Sequence, residues 1–167
     1  MRKSNFGLKI LNGLELSTGN VVLDDGAVYS LRLVNYDEDL RCDAIVRIDG
    51  EFIGRFRIEP FSAINVKRPV KDDKSFIFRK IYSMDNLGFI DKNKKDLLGY
   101  IDVEFIPEDK SKLIVLNKHE FHIELERGYT DFGESSGQIF KPTERMQLKY
   151  EKSINLRARL VGVDSER

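Results

Sequence analysis

A chain of 167 residues, 41% hydrophobic, 34% charged and 10% aromatic, is long enough for one domain with a real core and too apolar to be disordered or collagen-like. Its 28 basic and 28 acidic residues cancel, which argues against nucleic acid as the main partner, because phosphate binders usually carry a basic excess. The single cysteine, Cys42, rules out an intrachain disulfide framework.

The first residues, M-R-K-S-N-F-G-L-K-I, lack the continuous apolar run of a secretory signal. No stretch approaches the roughly 20 apolar residues of a membrane helix. The expectation is a protein of the cytoplasm or of a virion, with no membrane partner. Residues 8–11 begin the series of strands and end at the turn pair Asn12-Gly13; residues 21–23 follow and end at Asp24-Asp25-Gly26. Ala27, Tyr29, Leu31 and Leu33 then share one face, with Ser30 and Arg32 on the other.

Residues 41–58 carry the strongest local signal. Cys42, Ala44, Val46 and Ile48 form one phase, and Arg41, Asp43, Arg47 and Asp49 the other. Asp49-Gly50 supplies the positive φ angles of a two-residue hairpin turn. Past the turn, Phe52, Gly54, Phe56 and Ile58 are expected to point inward, alternating with Arg55 and Arg57. Cys42, on the inward phase, reads as a small buried hydrophobe rather than a reactive thiol.

Pro60 ends that strand, residues 63–68 form the next up to Pro69, and residues 75–82 another. Residues 83–99 read as a charged loop with room for a short helix at 84–87 or 92–98. Residues 100–106, 119–125 and 153–161 alternate again; in the last, Ile154, Leu156, Ala158 and Leu160 oppose Asn155, Arg157 and Arg159. A second long loop, 128–145, carries three glycines, a proline and the aromatics Tyr129, Phe132 and Phe140. These are either anchors tucked onto the core or, with Asp131, contacts for a partner.

Eight to ten short strands without crossover helices predict a single all-β domain over residues 1–167. The expected architecture is an antiparallel β-sandwich, jelly-roll-like or immunoglobulin-like, with a closed β-barrel as the alternative.

No reactive constellation is complete. His119 and His122 lie three residues apart in H-E-F-H-I-E, which is neither H-E-x-x-H nor enough ligands for zinc or a facial triad. There is no G-x-S-x-G elbow around Ser135-Ser136 and no phosphate loop. Asp24-Asp25 and Asp37-Glu38-Asp39 suit turns, where carboxylates cap the backbone. The reading is non-enzymatic, with no cofactor and no metal.

The arginines offer more. Arg41, Arg47, Arg55 and Arg57 fall on the outward phase of one hairpin, with Ile45 and Ile53 among them. One account is cross-strand ion pairing on a wet face. The other is a recognition face, because an apolar residue flanked by arginines resembles an interface core.

The run R-C-D-A-I-V-R-I-D-G-E-F-I-G-R-F-R-I-E-P-F-S-A-I-N-V-K-R-P resembles a small β-domain of uncharacterised proteins from large DNA viruses and phages. The shared pattern is an extended strand, a D-G hairpin, a G-x-F/W-R-I return and an S-x-I-x-V/I-x-R-P strand. The loop start Gly128-Tyr129-Thr130 and the closing strand 154–161 are also similar, so about half of the chain takes part. The resemblance implies a β-sandwich and a structural or surface role in a particle; it carries no enzymatic residues. The expected function is therefore a structural or assembly protein, with homo-oligomers or other structural proteins as partners. The alternative is a glycan or small-ligand binding module, which the absence of tryptophan disfavours.

Overall fold

The computed structural model describes residues 1–80, 96–113 and 138–162. Alternation sets two sheets face to face. The first holds β1 (Arg2–Lys3), β2 (Phe6–Leu11), β5 (Val28–Asn35) and β8 (Ser62–Val66), in that order, with β9 (Phe76–Ile77) also paired to the start of β5. The second runs β3 (Leu14–Glu15), β4 (Asn20–Leu23), β11 (Ile154–Gly162), β10 (Tyr100–Pro107), β6 (Cys42–Ile48) and β7 (Glu51–Ile58). This is the β-sandwich expected from the sequence, and the sheets do not close into a barrel. Of the described pairings only β4 with β11 is parallel. Those strands are far apart in the chain, so no tight turn dictates their sense.

The core fills the space between the layers. Leu8, Ile10, Leu31 and Leu33 from one sheet meet Ala44, Val46, Ile101, Val103, Phe105 and Ala158 from the other. Phe6 and Phe105 stack across it, with ring centroids 5.0 Å apart. Cys42 lies wholly inside this layer, and burial pushes its thiol far above the ordinary range, consistent with a packing role.

Asp49 and Gly50 both adopt positive φ, 54° and 78°, as the hairpin turn requires. The return strand departs from simple alternation. Val46 pairs with Gly54 and Arg47 with Phe52, so Ile53 is an extra residue on β7. This bulge reverses the phase of the strand's first residues. Phe52, expected inward, faces out beside Arg47 and is 44% exposed. Ile53, expected among the arginines, packs against the main core.

Elsewhere the boundaries shift modestly: the strand expected at 75–82 reduces to Phe76–Ile77 within the described residues. A helical turn, α1 (Lys110–Leu113), follows Asp109, whose carboxylate accepts the Ser111 N–H at 3.1 Å. The strand expected at 119–125, both histidines, Ser135 and Ser136, and most of each long loop lie outside the described residues.

Candidate functional site

The hairpin arginines occupy the outer face of the six-stranded sheet, and that face divides into a covered end and an open end. At the covered end Asp43, almost fully buried, accepts from Arg57 Nε and Arg55 Nε at 3.0 Å each. Register explains the trio: Asp43 lies opposite Arg57, and Ile45 opposite Arg55. Arg41 forms a two-pronged pair with buried Glu108, with Nη2 at 2.7 Å from Oε1 and Nε at 3.3 Å from Oε2. Burial alone would raise the Glu108 carboxyl, but the Arg41 guanidinium and backbone N–H outweigh it and hold the group below its usual range.

The segment 138–149 straps this end down. The Gln138 side chain mimics a strand partner on β8: it donates to the Asn65 carbonyl at 2.6 Å and accepts the Lys67 N–H at 2.9 Å. Its own carbonyl takes two bonds from Arg68, which is 1% exposed and also donates to the carbonyls of Pro69 and Asp72. Phe140 packs on Phe56, with centroids 5.4 Å apart, and lies under the Arg68 guanidinium at 4.5 Å. Further along, Arg57 donates to the Glu144 carbonyl, and Met146 and Leu148 cover Ile106 and Ile45.

These contacts place each expected site residue. Arg41, Arg55 and Arg57 are engaged within the domain, with the Arg57 side chain 7% exposed, and Ile45 lies beneath the strap. Phe140, half-buried, packs against the core. Tyr129, Asp131 and Phe132 lie outside the described residues. Of the expected hairpin set, Arg47 alone combines exposure with the open end.

The open end assembles residues from all six strands of this sheet. Arg47 lies between Asp102 of β10 and Phe52 of β7, its guanidinium 5.7 Å from the Phe52 ring. Asp102 holds Arg157 of β11 through both oxygens. Tyr100 lies beneath Arg157 at 4.5 Å and Arg159 at 5.5 Å. Beyond Arg159 the face turns apolar: Val161 pairs with Val22, and Val22 with Leu14, which is 65% exposed. Neither Arg47 nor Arg159 engages a carboxylate among the described residues. The outward phase of Arg157 and Arg159 was legible in the sequence; that they border Arg47 was not, because strand order is a tertiary fact.

Among the described residues no three histidine, cysteine or acidic side chains are grouped to hold a metal, and no helix is long and apolar enough to cross a membrane. No family model, curated protein or solved structure matches the chain.

Proposed function

We propose that this chain is a non-enzymatic structural or assembly protein that works through protein–protein contacts of the open sheet face. The observation that carries the reading is the composition of that face: Arg47, Arg157 and Arg159 lie over aromatic rings, beside the exposed aliphatic Leu14 and the half-buried Val22 and Val161. Arginine and aromatic side chains dominate the energetic centres of interfaces, whereas an ordinary wet sheet face favours lysine, glutamate and small polar groups. The resemblance of residues 41–69 to the viral β-domain is the ground for placing such an assembly in a particle.

Sedimentation velocity over a concentration series tests the proposal. The expected result is reversible association that the double variant Arg47→Glu/Arg159→Glu weakens at least tenfold while the melting temperature holds. Association of the same strength in the variant rejects the face.

A second reading, a small-ligand module, has one observation in its favour. A pocket of about 260 Å³ is lined by Leu11, Asn12, Val28, Tyr29, Ser30, Lys67 and Ser75. It is slightly smaller than typical ligand clefts of about 300–1,000 Å³. Its aromatic residue, Tyr29, is already stacked on Phe76. The open face remains the better supported reading.

A further inference from the structure

The open face has a chemical complement on the same molecule. Where β5 ends and β7 ends, two loops meet: the Phe61 N–H donates to the Asp37 carbonyl at 2.7 Å. Buried Asn35 ties them from below, donating to the carbonyls of Leu40 at 2.7 Å and Glu59 at 3.3 Å. Phe61 projects from this junction with 71% exposure, the highest of any large apolar side chain among the described residues. Glu38, Asp39 and Glu59 are exposed around it; none forms a described ion pair, and the Glu59 charge is also felt by Arg41. Arg2, on the first sheet's outer strand, is turned onto the Tyr36 ring at 3.9 Å. The junction is an aromatic knob with an acidic collar.

Each part of the knob fits something on the face. The Phe61 ring suits the Tyr100–Phe52 stretch with its overlying guanidiniums, and the collar suits Arg47 and Arg159, which lack carboxylate partners among the described residues. The two surfaces lie at opposite ends of the hairpin: the knob beside the Cys42–Ile58 pair, the face toward the Asp49-Gly50 turn. One molecule therefore presents both halves of a contact in different directions. Equal totals of 28 acidic and 28 basic residues leave no net repulsion between copies.

We infer that the occupant of the open face is a second copy of this chain, docking head to tail through its Phe61 knob. The inference rests on the assembly reading above and specifies its partner. Such a contact is heterologous: it closes into a ring or continues as a filament, depending on the rotation per step. Because its charges are partly exposed, it weakens as salt rises.

A mixing experiment tests it. The face variant Arg47→Glu/Arg159→Glu retains the knob, and the knob variant Phe61→Ala/Glu38→Lys retains the face. All four positions are exposed, so circular dichroism should show both variants folded. Wild type is expected to form oligomers larger than dimers, each variant alone to sediment as a monomer, and the equimolar mixture to form a 1:1 dimer. Assembly lost in the face variant but kept in the knob variant overturns the head-to-tail contact and leaves the face reading intact. Assembly kept in both overturns the face reading as well. Wild type that stays monomeric at every concentration overturns self-docking outright.

Discussion

Asp43 shows how a charge on an expected solvent face becomes a structural group. It lies between Arg55 and Arg57 with both oxygens occupied, under a segment that excludes water. Replacing it with asparagine leaves Arg57 buried without its counter-charge. Asp43→Asn should therefore cost about 3 kcal/mol, the scale of a broken buried ion pair, measured by urea unfolding. The alternation showed that these residues share a face. It could not show the lid beside them, because Met146 and Leu148, which cover Ile45 and Ile106, lie about 90 to 105 residues further along the sequence and contribute no local signal.

Two other carboxyls set opposite pH trends. Burial raises Asp49 above its ordinary range, and a bond from the Gly99 N–H at 2.8 Å offsets this only in part. A raised acid favours folding while protonated, so its contribution is complete below the unfolded-state value and is lost as pH rises through the folded-state value. Glu108 is held low, so its contribution is present above the unfolded-state value and is lost as pH falls through the folded-state value. Across the carboxylate range toward neutrality, Asp49→Asn should gain stability relative to wild type and Glu108→Gln should lose it. Urea titrations at stepped pH should give difference curves of opposite slope; parallel curves would contradict both assignments.

Among the elements, β7 is the most informative. Its second half obeys the alternation read from the sequence, and its first half does not, because the bulge inserts Ile53. Gly54 sits at the point of change. A methyl group there would lie 2.4 Å from Val70 Cγ2 and 2.6 Å from Phe56 Cζ. Gly54→Ala should cost about 1–3 kcal/mol through overpacking, read as a lower denaturation midpoint with an unchanged slope. The glycine was visible as a break in an otherwise bulky strand. Its cause was not, since Val70 reaches it from beyond Pro69 and donates its N–H to the Ile53 carbonyl at 3.0 Å. The strap 138–149 was likewise visible only as an irregular loop, and its attachment through Gln138 and Arg68 depends on side-chain to backbone bonds that no periodicity records.

For the molecule as a whole, two-residue alternation is enough to expect two layers, because the inward side chains of most strands follow it. Strand order, the parallel β4–β11 pair and the division of the outer face into covered and open ends all come from long-range pairing. Hence Arg47 was named from the sequence while Tyr100, Arg159 and Leu14 were not joined to it. The association and mixing experiments belong to this scale, since they read out how one copy meets the next rather than how any single residue is held.

The attachment of residues 69–70 and 138–140 along the β7–β8 flank has a further result. Three backbone groups that would otherwise offer a template for strand addition are engaged there: the Ile53 carbonyl by Val70, and the Asn65 carbonyl and Lys67 N–H by Gln138. At the far side of the larger sheet, the outermost strand is only the two residues Leu14–Glu15. Amyloid-type growth needs a long, flat, unsatisfied border; among the described residues these attachments and the short outer strand reduce the border on offer, which favours docking of crowded copies by side chains over fusion through their main chains.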